Sequence, residues 1–349
     1  EPAAGMNPRE TRRLVDLINE KSYQYYTLSE PSISDGEWDA LYDRLLALER
    51  ETGTVLPDSP TRRVGSRPLS GFAEHRHLTR LWSMDKAQSV GALRDWAARA
   101  EKLRQAANAG GADLPPLSYV VEHKFDGLTI NLTYEGGRLV QAATRGSGEV
   151  GEGILPQAMT IRSIPLSIPF PGRMEVHGEG FMRLSAFEAY NRTATEPLKS
   201  PRNAAAGALR NLDPAVTASR RLDARFYNVG YLEDRAFRDQ AEMLAFLREN
   251  RFPVSDCERF AGSIDEAIGL VGEIESSRGD LDYLIDGAVI KITDFRTRDA
   301  LGYTDKFPRW AVAYKFEAEE VTATLEDVTW ELGRTGKLTP LAHVTPVEL

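Results

Sequence analysis

The residues best suited to chemistry stand in one short stretch, Glu122-His123-Lys124-Phe125-Asp126-Gly127. An apolar, β-prone run from Leu117 to Val121 precedes it. Leu128 to Tyr134 follows, alternating apolar and polar with period two, the pattern of a half-buried strand. Asp126-Gly127 lies between these runs, where a tight turn or bulge is expected. The spacing fixes a lysine at the end of a strand, flanked by carboxylates and backed by apolar surface. A lysine amine in water is protonated and inert, with a pKa of about 10.4. Desolvation or a nearby cation lowers that value and frees the lone pair for nucleophilic attack. A surface lysine beside a β-turn gives the same Lys-x-Asp-Gly pattern, so these four residues alone do not decide between the two.

Other chemistry-bearing residues are spread along the chain. Arg145-Gly146-Ser147-Gly148-Glu149-Val150-Gly151-Glu152-Gly153 sets glycines beside an arginine. Such glycines let backbone amides approach a phosphate that the arginine can pair with, and a flexible hairpin loop explains them equally well. Glu175 and Glu179 fall on an expected strand, Met174 to Met182. Asp286 and Lys291 fall on another, and Lys315 on a third, Ala311 to Phe316. Carboxylates such as Glu122, Asp126, Glu179 and Asp286 can hold Mg2+ and receive ribose hydroxyls. Cations among them can neutralise charge developing on a phosphoryl group. Together they fit nucleotidyl transfer to the lysine. Near the N-terminus, Tyr23, Tyr25, Tyr26, Asp35, Trp38 and Asp39 form a second cluster. It is either aromatic packing between two helices or a slot edged by carboxylates, able to hold a flat cation such as a pyridinium ring.

Local signals place the elements that must position these groups. Asn7-Pro8-Arg9-Glu10 starts a helix running to about Tyr26, and Ser34-Asp35-Gly36-Glu37 is a capping box opening a second. The first seventy residues therefore read as a small helical unit, ended by Pro57, Pro60 and Arg62-Arg63-Val64-Gly65. A further helix covers about Val90 to Ala106. Glu135-Gly136-Gly137-Arg138 is the turn before a return strand, Leu139 to Arg145. Ser185 caps one helix, Pro201 to Arg210 forms another that presents two arginines, Phe237 to Asn250 reads as amphipathic, and Ser263 caps one more. Ala224 to Leu232 is a strand, and the last thirty residues turn β-rich. Strands interleave irregularly with helices, so the class is α+β. No Gly-x-Gly-x-x-Gly opens a helix after a strand and no P-loop occurs, which argues against Rossmann and P-loop enzymes.

The chain has 349 residues, 42% hydrophobic and 27% charged, with no apolar run long enough to span a membrane. Glu1 to Met6 lacks the charged and apolar regions of a signal peptide. One cysteine, Cys257, excludes an internal disulfide or a multi-cysteine zinc site within these residues. The expectation is a reduced, cytoplasmic protein. With 43 Lys and Arg against 52 Asp and Glu, the net charge is −9, so any nucleic-acid contacts are expected to be local or to belong to a part outside these residues, rather than a broad basic face.

Five motifs in order carry a family resemblance. Glu122-x-Lys124-x-Asp126-Gly127, Ala142-Ala143-Thr144-Arg145-Gly146, Pro201-Arg202-Asn203-Ala204-Ala205-Ala206-Gly207, Ile285-Asp286-Gly287-x-Val289-Ile290-Lys291 and Pro308-Arg309-Trp310-Ala311-Val312-Ala313-x-Lys315-Phe316 resemble the bacterial NAD-dependent DNA ligases over nearly the whole chain. The resemblance implies a helical NMN-binding subdomain over 1–70, a nucleotidyltransferase (ATP-grasp-like adenylation) domain over 71–317, and the start of an OB-fold domain over 318–349. It implies that Lys124 takes AMP from NAD with release of NMN, and passes it to the 5′-phosphate of a nick in double-stranded DNA, in replication and repair. Asp126 belongs to the lysine motif. Glu122 would bond the adenine, with Tyr227 stacking on its ring, while Arg145 and Glu179 face the ribose and phosphate. Lys291 and Lys315 attend the α-phosphate, and Ser83 and Met84 lie near the nucleotide. Tyr25, Tyr26, Asp35, Trp38 and Asp39 match the nicotinamide mononucleotide pocket. NAD and Mg2+ are the implied cofactors, zinc belongs to modules beyond Leu349, and a monomer is implied. Trp38 stands where tyrosine is usual, Ser147 and Gly153 where aspartates are, Phe125 where leucine is, and Lys86 and Gln88 where Asn and Phe are. An ATP-using nucleotidyltransferase or a degenerate nucleotide- or DNA-binding paralogue are the alternatives.

Overall fold

The computed structural model describes residues 6–64, 67–317 and 323–347. Glu1 to Gly5, Gly65, and the first residues of the expected C-terminal segment, 318–322, lie outside the described residues. Contacts divide the chain into two compact units, Glu1–Lys315 and Phe316–Leu349.

The first unit begins with helices α1 (Met6–Tyr26) and α2 (Asp35–Thr52), which bury Leu14, Val15, Ile18, Leu45 and Leu48 against each other. The capping box at Ser34 is present, its hydroxyl accepting from the Glu37 amide, and Gly53 ends α2 in the left-handed region. Helix α1 starts one residue before Asn7, so Asn7 lies inside the first turn and its carbonyl accepts the Thr11 hydroxyl. Arg63, buried just after α2, donates to the carbonyls of Met159, Ile161 and Ile164 and ties this pair to the rest of the unit.

Two sheets follow. One is four-stranded and antiparallel, in the order Arg138–Thr144, Leu128–Glu135, Met174–Phe181, Asp223–Leu232. The other is five-stranded, in the order Lys86–Ala87, Ala311–Lys315, Ile285–Ile292, Tyr119–Phe125, Arg259–Ala261, with only the Lys86–Ala87 pairing parallel. The runs flanking Asp126-Gly127 therefore do not pair with each other; the chain passes there from one sheet to the other. Glycine is required at this crossing because a Cβ on Gly127 would sit 2.1 Å from the Gly180 carbonyl oxygen. The Gly136-Gly137 turn is as expected, with φ of 59° and 76°, the conformation of a tight hairpin.

Two helix starts differ from the sequence reading. The helix Leu184–Thr193 has no side-chain cap of its own; Ser185 instead bonds Asp282 through both its amide and its hydroxyl. The helix expected from Phe237 starts at Gln240, capped by Asp239. The second unit pairs Leu325–Leu332 with Leu338–Val344 in an antiparallel hairpin.

Candidate active site

A cleft of about 1340 Å3 opens in the first unit, with strands of both sheets on its walls. Lys124 lines it, one residue from the end of its strand, and is partly buried. Its Nζ donates to both oxygens of Asp286 at 3.0 and 3.1 Å. The pairing follows from register, since Gly287 faces Lys124 across the ladder with a bulge just before it. From the sequence, Asp286 is one of several strand-borne carboxylates expected to hold Mg2+ or receive ribose hydroxyls, with no partner named for it. The fold sets it on Lys124.

Glu179, from the neighbouring sheet, also lines the cleft. Burial pushes its carboxyl up to about 8, against the opposing pull of Lys124 and of the Thr129 hydroxyl donating at 3.3 Å. Asp126 is raised as well, by burial and then by Asp286; Arg202 pairs with it at 3.4 Å. Its side chain is not among those lining the cleft, so Asp126 stands beside the site rather than on its wall.

Glu122 is buried at the deep end. Lys291 Nζ meets its Oε2 at 3.0 Å and Gln240 Nε2 donates to its Oε1 at 3.0 Å. Lys291 also lies 5.0 Å from the centre of the Tyr227 ring, so these three expected nucleotide residues come together. Burial, then Glu179 and Glu122, raise the Tyr227 hydroxyl. Nearer the mouth, Arg145 donates to the Ser83 hydroxyl at 3.3 Å, and Met84 and Lys315 line the same cleft. Arg145 is held from behind by the His77 ring, whose Nε2 lies 3.0 Å from the Arg145 carbonyl oxygen. Sequence reasoning missed His77, Gln240 and Arg298, because each acts through a contact with a segment distant in the chain. Among the Gly-rich residues, the Ser147 hydroxyl accepts from the Glu149 and Val150 amides and shapes the turn where an aspartate would.

The second cluster is separate. Tyr25, Tyr26, Asp35, Trp38 and Asp39 lie on the helical pair, and none lines the cleft. Tyr25 is 50% exposed and meets Tyr26 edge to face at 4.7 Å. Trp38 stacks on Tyr42 at 5.0 Å and also packs on the small helical core, so the packing account holds for one of its faces.

Comparison with known proteins decides the family. The pattern described as "NAD-dependent DNA ligase adenylation domain" matches residues 69–319. A second, "DNA ligase-like, N-terminal NAD+-binding domain", matches residues 6–65. The chain belongs to the NAD-dependent DNA ligase family. Its curated relatives include a DNA ligase of Alkaliphilus metalliredigens (strain QYMF), 54% identical over 98% of this chain and 51% of that protein. A DNA ligase of Finegoldia magna is 53% identical over 96% of the chain and 51% of its own length. "DNA ligase 2" of Clostridium acetobutylicum is 50% identical over 99% and 52%. This ligase-family chain thus spans about half the length of the curated relatives it matches.

Proposed function

We propose that this chain carries out the adenylation chemistry of an NAD-dependent DNA ligase. The observation that carries the reading is Lys124 at the crossing between two sheets, bonded to Asp286 and facing a cleft that also holds Glu179, Arg145, Lys315, Lys291 and Tyr227. The Lys124 amine gives up a proton, for which Asp286 is the adjacent acceptor, and its lone pair forms an N–P bond to the α-phosphorus of NAD. The P–O bond to NMN breaks, and NMN leaves with that electron pair. Arg145 and Lys315 offset charge developing on the phosphoryl oxygens. Tyr227 supports the adenine ring, Glu122 accepts from its amino group, and the protonated Glu179 carboxyl can bond a ribose hydroxyl. In a second transfer AMP passes from Lys124 to the 5′-phosphate of a DNA nick, and the DNA 3′-hydroxyl then displaces it.

The exposed Tyr25, Tyr26, Asp35 and Asp39, with the half-buried Trp38, are the residues for the nicotinamide mononucleotide half. The NAD+-binding match over the helical pair favours NAD over ATP as the AMP donor. Mg2+ fits the donor chemistry: Asp126 and Asp286 repel each other, and a divalent cation would relieve that repulsion. Among the described residues no group of three or more ligating side chains converges, which suits an ion held mostly by substrate phosphate and water. When bound, Mg2+ draws charge from the phosphoryl oxygens. Among the described residues no helix is long and apolar enough to cross a membrane, and we place the protein in the cytoplasm as a monomer. The test is intact mass after incubation with NAD and Mg2+: one added AMP, lost on mild acid treatment as a phosphoramidate is, is expected. An unchanged mass would overturn the reading.

A further inference from the structure

The Glu122 carboxylate is fixed by a chain of donors that begins outside the reacting groups. Gln240, fully buried at the start of its helix, donates Nε2–H to Glu122 Oε1 at 3.0 Å. Arg298, on the helix Phe295–Leu301, donates Nη2–H to Gln240 Oε1 at 2.9 Å and Nε–H to the Ile292 carbonyl at 2.6 Å. A guanidinium has no acceptor. Gln240 must therefore turn its carbonyl to Arg298 and its NH2 to Glu122, which removes the usual ambiguity of an amide's orientation. Glu258 adjoins the group: burial, and then the charge of Glu122, push its carboxyl up to about 8. Lys291, also donor-only, takes the second Glu122 oxygen. Each Glu122 oxygen thus meets one donor, Gln240 or Lys291, and the remaining lone pairs, of about four on a carboxylate, are acceptors on the cleft wall.

We propose that the Arg298–Gln240 pair is a positioning device for purine selectivity, holding Glu122 as an acceptor that takes a base with a 6-amino group and rejects one with a 6-oxo group. The inference rests on the reading above that the adenine of NAD sits against Glu122. A 6-amino group offers an N–H to the carboxylate. A 6-oxo group turns lone pairs toward lone pairs where the 6-amino group offered its N–H, and such a base can bond the carboxylate only by shifting to present its N1–H instead. Selectivity for NAD over nicotinamide hypoxanthine dinucleotide on the order of 100-fold follows. Neither Gln240 nor Arg298 touches the reacting atoms, so both are positioning residues.

Gln240→Glu tests this with little change of shape. The new carboxyl keeps a partner in Arg298 but stands against Glu122, and two adjoining carboxylates share a proton. The pair can then donate to a 6-oxo group. Adduct formation on Lys124 is followed by intact mass with each dinucleotide, and the ratio of the two kcat/KM values is the readout, which loss of stability alone would not move. The ratio is expected to fall about tenfold or more in Gln240→Glu. Gln240→Met, which frees Glu122 from its donor, should lower it too and decides the matter if the first variant does not fold. A ratio unchanged from the parent chain would overturn this inference while leaving the adenylation reading intact. No adduct in the parent chain with either dinucleotide would overturn both.

Discussion

At Lys124, one contact defines what the residue can do: both Asp286 oxygens lie within hydrogen-bonding distance of Nζ, giving the departing proton a destination. Lys124→Ala should abolish the AMP adduct with the fold intact. Lys124→Arg should do the same, since a guanidinium stays protonated at any working pH. An adduct surviving in either variant, located by peptide mapping, would move the nucleophile to Lys291 or Lys315. Asp286→Asn keeps the shape but cannot take the proton, and should slow adduct formation by about 100-fold. Glu179 allows a test through stability. Burial raises its carboxyl from 4.5 to about 8, so the folded state holds this proton more tightly than the unfolded chain does. The stability this contributes is fully present below about 4.5 and is lost as pH rises through 8. Glu179→Gln, neutral throughout, should match the parent chain in urea unfolding at pH 5 and exceed it at pH 9. The expected gain is about 2 kcal/mol, discounted for partial exposure. An equal difference at both pH values would show that Glu179 is ionised in the folded state.

At the scale of elements, the crossing at Gly127 matters most. A Cβ there meets the Gly180 carbonyl at 2.1 Å, and relief requires the paired strands Leu128–Glu135 and Met174–Phe181 to part at their ends, three residues from Lys124. Gly127→Ala should therefore destabilise the chain by about 3 kcal/mol in urea unfolding, with adenylation falling alongside. The helical pair gives a contrasting case. Tyr25 and Asp39 are exposed, so Tyr25→Ala and Asp39→Ala should leave the unfolding midpoint nearly unchanged. They should still slow adduct formation from NAD at least tenfold while AMP binding to the cleft stays as it was. Undiminished NAD reactivity would reduce the cluster to helix packing. These cases also show what the sequence could disclose. The Ser34 capping box and the Gly136-Gly137 turn were legible because their side-chain and backbone demands are satisfied within four residues. The sheet change at Asp126-Gly127 was not, since a turn signal does not say which strands pair across it. Asp286 reaches Lys124 over 162 positions and Gln240 reaches Glu122 over 118, and no periodicity reports on such contacts.

Over the whole molecule, charge limits how strongly this chain can hold DNA. The net charge is −9, and several arginines that could meet phosphate are already partnered. Arg202 pairs with Asp126 at 3.4 Å and Arg210 with Glu152 at 3.0 Å, while Arg220 lies 5.1 Å from the Tyr190 ring centre and donates to the Ala204 carbonyl. Each phosphate contact releases about one counterion, so affinity falls with salt in proportion to the number of contacts. With two or three contacts, binding of preadenylated chain to a 5′-phosphorylated nick should weaken roughly 10- to 40-fold between about 50 and 200 mM salt. Adduct formation from NAD should change far less over the same range, because charges inside the cleft are screened less than those on the surface. Single-turnover sealing should accordingly lag adenylation, and the gap should widen as salt is added. Fluorescence anisotropy of a labelled nick across a salt series, beside a denaturing gel for sealing, measures both quantities on one preparation. A log–log slope of about −6 or steeper, or sealing as fast as adenylation at physiological salt, would show that these residues alone form an extended phosphate-binding surface despite their net negative charge.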